Sequence, residues 1–409
     1  MTADLHRLAN GLTVAVDPLP AAESVALGLF ARVGSRSEPD HLAGLAHLVE
    51  HMVFKGAGGR DTRALAEVIE NVGGSLNAWT ARDQTAFHGR ALARDLPLVA
   101  GLVADLIRAP RFDEQHLERE KQVILSELGE VTDSPDDLVH DHLFEAAFEG
   151  QPIGRPVIGS AATIRAATRQ DCCDWLEQQF VPSRLILAAS GKVDADALLA
   201  LAERLFGDMD ARPEPAVAPA IFTGGLRNDR RSFEQAHWCF AYRGLPSADR
   251  RIPALSLFVQ ALGGGTSSRL FQELREERGL AYSIYAWTQA FADTGMVGIG
   301  CAAERARAVE SIRLARELVA ETADALTEEE LDRARAQIEA ALLMTLETSQ
   351  GRADHMARSI EVFGRVLGVE ELLAELRAVD VAAARAAGAE LLAGPVAVAS
   401  VGAKLAAAA

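Results

Sequence analysis

Apolar residues recur along this chain with two periods, and the switches between them divide it into elements. Alternation, or a short apolar run closed by turn residues, marks a strand, whereas spacings of three and four mark a helix. Leu8 to Val16 is a strand-like run broken by Asn10-Gly11, a dipeptide that favours the left-handed backbone of a hairpin turn. Ser24 to Val33 reads as the next strand. From Leu42 to Phe54 the period changes: apolar residues at 42, 45, 48, 49, 52 and 53 predict a helix. A second helix is expected over 62–72, ended by Gly73-Gly74. Residues 75–88 then alternate as two strands with a turn near Arg82-Asp83. Helices follow over about 95–108, 113–131, 136–147 and 168–179, then a buried strand from Leu185 to Gly191 and a helix over 194–206.

Residues 208–227 lose both periods. Asp208 to Pro219 holds three prolines, which favours an extended linker. Beyond it the first order of elements returns. A strand near 235–243 leads to helices over about 251–262 and 267–278, strands at 281–291 and 295–302, and long helices over 303–321 and 327–346. Further helices run to about 392, and a last strand spans Val396 to Val401. The expected fold class is therefore α+β. Two similar α/β-sandwich domains, 1–207 and 228–409, each pack an antiparallel-rich sheet with helices and are joined by a linker at 208–227.

Composition narrows the function classes. The chain has 409 residues, 49% hydrophobic and 24% charged, as in a globular enzyme with large cores. Lys+Arg number 41 against Asp+Glu 58, a net charge of −17, which argues against nucleic acid as a partner because phosphate binding needs a basic footprint. Cys172, Cys173, Cys239 and Cys301 form no C-x-x-C pair and are expected to be reduced and mostly buried. The opening Met-Thr-Ala-Asp-Leu-His-Arg has no signal-peptide pattern, and no apolar run reaches transmembrane length. The expectation is a cytoplasmic protein with no membrane partner.

The chemistry sits inside the helix expected at Leu42 to Phe54. Residues 47 to 51 read His-Leu-Val-Glu-His. Residues four apart on a helix lie one turn apart on one face, so His47 and His51 can reach one metal ion. Glu50, beside the second histidine, can project toward the same point. Two neutral nitrogen ligands and an adjacent carboxylate are what a zinc hydrolase needs to hold its metal and take a proton from water. Polar groups on so apolar a helix need partners.

A third protein ligand is required. On the helix expected over 113–131, Glu120 and Glu127 are seven apart and share a face, alongside Val123 and Ile124, while Glu118 and Glu130 point to solvent. Taken alone, this segment also reads as a solvated acidic helix, and both readings stay open. His88 and the pair His140-x-His142 are assigned no role; the latter spacing suits a helix surface.

Larger stretches carry a family likeness. His47-x-x-Glu50-His51 is followed 76 residues later by Glu127. Around it stand His-Met-Val-Phe-Lys-Gly at 51–56, Leu76-Asn-Ala-Trp-Thr80, Pro152-Ile-Gly-Arg-Pro-Val-Ile-Gly159 and Gly264 to Tyr282. In these the chain resembles the inverted zinc metallopeptidases, the family of pitrilysin, insulin-degrading enzyme and mitochondrial processing peptidase, as a short bacterial-type member. Gln151 departs from the pattern, standing where relatives often have histidine, outside the implied ligand set.

The resemblance implies roles residue by residue. His47, His51 and Glu127 would hold one Zn2+ per chain, and Glu50 would be the general base. Glu120 would orient a ligand histidine. The edge strand at Asn77 and Ala78 would pair with the backbone of a peptide substrate. In the second half, Arg275 and Tyr282 would hold the substrate carbonyl and stabilise the oxyanion; without the resemblance they read as a salt-bridged surface arginine and an amphipathic core tyrosine. The implied activity is a zinc endopeptidase that cleaves short or unfolded peptides within an enclosed chamber, each chain forming half of it. Some relatives divide zinc ligands and Arg/Tyr pair between two subunits. This chain has both sets, which points to a homodimer. The alternatives are a non-catalytic scaffold subunit of the same fold, or a catalytic subunit that needs a homologous partner.

Overall fold

The computed structural model describes residues 3–405. Strands β1 (Asp4–Arg7) and β2 (Thr13–Pro18) form the expected opening hairpin. Gly11 takes φ +100° at its turn, and the Asn10 side chain accepts a hydrogen bond from Leu12 N. Strand β3 (Ser24–Ala31) is buried on both faces: Val25, Leu27 and Leu29 point to one core and Phe30 to another. The short pair β4 (Gly56–Ala57) and β5 (Arg60–Asp61) follows. β6 (Ser75–Thr80) and β7 (Thr85–Leu92) make the second hairpin, closed where Ala81 N donates to Gln84 O, around the expected Arg82-Asp83 turn. With β8 (Leu185–Gly191) these strands build a six-stranded sheet in the order β1-β2-β8-β3-β7-β6.

The second sheet comprises β9 (Gly225–Asp229), β10 (Gln235–Arg243), β11 (Ala281–Ala290), β12 (Gly295–Glu304) and β13 (Val396–Val401), in the order β11-β12-β10-β13-β9. The two plans coincide. A hairpin (β6–β7, β11–β12) lies beside a central strand (β3, β10), then the last strand of the half (β8, β13), and then a strand parallel to it (β2, β9). The fold is thus mixed α/β with two similarly built sheets.

By contacts the chain forms two compact units. The first takes the chain up to Leu128 with Pro156–Ala218 and Leu343–Val369; the second takes Gly129–Arg155, Pro219–Leu342 and the chain from Glu370 onward. One change of unit, at 218/219, falls inside the proline-rich stretch. The other changes reflect one helix lent by each half of the chain. Helix Ser349–Phe363 lays Ala353, Met356, Ala357 and Ile360 on Ala15, Phe30, Ala86, Ile186 and Ala188 of the first sheet. Its Arg352 Nε meets Asp17 Oδ2 at 2.5 Å, and Ser190 Oγ donates to the same oxygen; Asp17 is 1% exposed. Helix Pro135–Ala147 lays Val139, Leu143, Phe144, Ala146 and Ala147 on Cys239, Ala241, Ala397, Ala399 and Val401 of the second sheet.

Three local expectations differ from what is found. β9 begins inside the stretch expected to be linker; at the sheet edge its Leu226 and Arg227 stay exposed, so no period-two apolar signal marks it. Within the helix expected over 267–278, Phe271–Glu277 is wound as a π-helix. A short helix, Ala161–Ala166, is set by a Ser160/Thr163 capping box. Among the described residues the four cysteines are free, three of them buried, and no helix is long and apolar enough to cross a membrane.

Candidate metal centre

The two histidines stand on helix Leu45–Val53, which buries Leu45, Ala46, Leu48, Val49, Met52 and Val53. Its start is held by Glu38, a residue nothing in the local sequence pattern singles out. The Glu38 carboxylate, 3% exposed, accepts from Gly44 N at 2.8 Å and Ala46 N at 2.7 Å. Two orphan helix donors are thereby met by an anion placed at the positive end of the helix dipole. Gly44 turns into the helix at φ +93°, and a Cβ there would lie 2.6 Å from Ile158 O, so no other residue fits.

The two histidines share one face, as their spacing predicted. The His47 and His51 rings lie 4.6 Å apart between centroids. Glu127, from helix Glu114–Asp133, completes a trio whose ligand atoms all lie within 4.8 Å of one another. His51 Nδ1 lies 3.3 Å from Glu120 Oε2, and its Nε2 lies 3.8 Å from Glu127 Oε2. With Nδ1–H donating to Glu120, the Nε2 lone pair faces Glu127, the tautomer a ligand needs. Glu120, 8% exposed, also receives Lys55 Nζ at 3.0 Å on its other oxygen. The buried face of this helix is Leu117, Glu120, Lys121 and Ile124; Val123, placed on that face from sequence, is exposed at 43%.

These residues suit a metal such as zinc. Two imidazoles and a carboxylate form a donor set of the catalytic type, in which three protein ligands leave a fourth position for water. Burial, then the neighbouring His51, lowers His47 to a pKa of about 4, so it is neutral near pH 7, the form that binds metal. Its Nδ1 is buried without a hydrogen-bond partner among the described residues. Burial also pushes the Glu50 carboxyl above its ordinary range, as suits a group that takes up and returns a proton.

The other expected site residues have defined places. Asn77 and Ala78 lie on β6, an edge of the first sheet, where Asn77 Oδ1 accepts from Ala78 N at 2.9 Å. Arg275 and Tyr282 belong to the second unit. Arg275 is on the π-helical segment, its guanidinium 4.8 Å over the Phe271 ring. Tyr282, 71% exposed, sits at the register shift between Ala281 and Ser283 that opens edge strand β11. A π-helix and a bulge both re-aim side chains and recur at functional sites.

A two-sheet α/β fold with His47 and His51 on an apolar helix and Glu127 on a second helix defines the class: a mixed α/β protein with a candidate metal centre. Comparison with known proteins narrows it. Residues 13–161 match the model of the insulinase family (peptidase family M16), and residues 166–338 that of the M16 inactive domain. An uncharacterized zinc protease of Mycobacterium tuberculosis is 36% identical over 94% of this chain and 90% of its own; one of Bacillus subtilis is 30% identical over 91% of each. Two solved structures share the fold. A protease from Helicobacter pylori matches with a TM-score of 0.89, 20% identity and coverage of 99% of this chain and 100% of that one. A structure described as the peptidase M16 inactive domain from Pseudomonas fluorescens matches at 0.90, 21% and 99% of each. The chain belongs to the insulinase (M16) family of peptidases.

Proposed function

We propose that this protein is a zinc-dependent endopeptidase of short or unfolded peptides, with one Zn2+ per chain held by His47, His51 and Glu127. The observation that carries the reading is the convergence of those three side chains within 4.8 Å beside Glu50, on a helix otherwise buried. When bound, zinc would polarise the scissile carbonyl and acidify water. Glu50 accepts the proton of the attacking water and returns it to the leaving amine; its raised pKa matches it to both tasks. Glu120 keeps the His51 ring in its ligating tautomer. The β6 edge at Asn77 and Ala78 takes the substrate backbone as an added strand once the Asn77 side chain releases Ala78 N. Arg275 and Tyr282 hold the substrate carbonyl and its oxyanion. Because chain pairing on a sheet edge needs an extended segment, folded proteins resist cleavage. The working form is a cytoplasmic homodimer whose chains each contribute half of an enclosed chamber.

The test is cleavage of an unstructured basic peptide, chosen against the chain's net charge of −17. Purified protein with zinc is compared with Glu50→Gln by mass spectrometry of the fragments. Cleavage by the wild type alone supports the reading. Zinc binding without cleavage by either overturns it in favour of a scaffold or of a catalytic subunit lacking its partner. Size-exclusion with light scattering reads the assembly, and a monomer at working concentration removes the homodimer.

A further inference from the structure

We propose that Lys55 is a positioning residue of the metal centre, acting through Glu120 on His51; the inference rests on His51 being a zinc ligand. Lys55 stands just past the last turn of helix Leu45–Val53, two residues beyond its end, where a cation also suits the helix dipole. Its Nζ takes Glu120 Oε1 at 3.0 Å, while Glu120 Oε2 lies 3.3 Å from His51 Nδ1. One carboxylate is thus divided between His51 on the helix and Lys55 in the turn that follows it. Glu120 is 8% exposed, so a free Oε1 would have no bulk water to turn to. Held by Lys55, Oε1 is fixed, and Oε2 is presented to the imidazole. Released, the carboxylate rotates about its last bond and can offer either oxygen or leave the ring altogether. The His51 ring then loses the partner that aims Nε2 at Glu127. Among the described residues Lys55 Nζ is paired with Glu120 and not with Glu127 or the two histidines, so its effect passes through the glutamate.

Partners behind a ligating histidine typically govern 10–100-fold in metal affinity. One step further out, Lys55→Met should weaken zinc binding by about tenfold, at the low end of that range. The measurement is zinc affinity of the full chain by competition with a chromophoric chelator, for wild type, Lys55→Met, Lys55→Arg and Glu120→Gln, and for Lys55→Met combined with Glu120→Gln. The expected result is weaker binding for Lys55→Met, recovery of most affinity with Lys55→Arg, and no further loss when Lys55→Met is added to Glu120→Gln. Lys55 is partly exposed and Glu120→Gln keeps the side chain's shape, so the variants are expected to fold; thermal melts of the apo proteins check this. Unchanged affinity in Lys55→Met overturns the inference while leaving the zinc site intact. Equal loss with and without Glu120 overturns it as well, since the lysine would then act independently. Absence of zinc binding by the wild type itself removes the functional reading and the inference with it.

Discussion

The helix after β3 in the first unit and the helix after β10 in the second occupy the same place in the strand plan and have opposite contents. Leu45–Val53 interrupts its buried surface with His47, Glu50 and His51. Ile252–Gly263 buries Ala254, Leu255, Leu257, Phe258, Val259, Ala261 and Leu262 and has no histidine or acidic residue. Among the described residues the His47/His51/Glu127 group is the cluster able to hold a metal. A shared sheet plan thus carries a candidate metal centre on this helix in one copy and packing residues on it in the other. The difference shows what a metal site asks of a fold. The motif helix needs a buried carboxylate, Glu38, to cap its start, and a second, Glu120, to aim one ring. The apolar helix needs neither, starting at Arg251 with a proline near its N-terminus and no side-chain cap.

The sharpest way to break this comparison is to remove the base from the first unit. Glu50→Gln keeps the shape and the histidines. It should lower kcat by about a thousandfold, within the range for general acid–base catalysis, with zinc still bound in a metal assay. Retained turnover would leave the first unit with no chemical advantage. Next comes the stability of the first sheet's lent helix. Arg352→Ala strands the buried Asp17 with Ser190 as its remaining partner, and breaking such a pair costs about 3 kcal/mol. Urea unfolding should show it as a lower midpoint at unchanged slope. If stability is unchanged, Arg352 is not what fixes that helix. In the second unit, Tyr282→Phe keeps the ring and deletes the hydroxyl. A lost oxyanion donor costs about a hundredfold in kcat. Peptide turnover at saturating substrate is the readout, and an unaffected kcat would return the second unit to a purely structural part.

Local signals explain what could be read before the structure. Asn10-Gly11, the 42–54 helix and the 75–88 hairpin each carry their pattern within about a dozen residues, and each is found, the helix shortened to Leu45–Val53 because Gly44 turns at φ +93° and leaves Leu42 in a separate turn. The metal trio was legible because two ligands lie one helical turn apart and the third is placed by family likeness. Contacts formed across the chain were not. Asp17 and Arg352 are 335 residues apart, and nothing near either announces the pairing. Glu38 caps a helix that begins seven residues later, beyond the window in which capping patterns operate. β9 carries an edge strand's mixed composition after a proline-rich run, so its resemblance to β2 appears only as a shared parallel pairing, with β13 and β8 respectively. The π-helical winding around Arg275 leaves no periodic trace in seven residues.

Gln151 is where the smallest effect belongs. Its amide clamps one backbone residue of the second unit in both directions: Nε2 donates to Ile221 O at 2.7 Å, and Oε1 accepts from Ile221 N at 2.7 Å. Ile221 immediately precedes Phe222, whose buried ring packs on Phe148, so the clamp fixes the approach to that core. Histidine has two ring nitrogens set at a different angle and cannot both donate to the C=O and accept from the N–H of one residue at these distances. Gln151→His should therefore lose one net hydrogen bond, about 1 kcal/mol or less because the site is exposed. Thermal denaturation should detect a shift of a few degrees at most, while peptide turnover and zinc affinity stay at wild-type values. A loss of turnover without a loss of stability would instead tie this corner of the second unit to the reaction, and the division of labour between the two units would have to be redrawn.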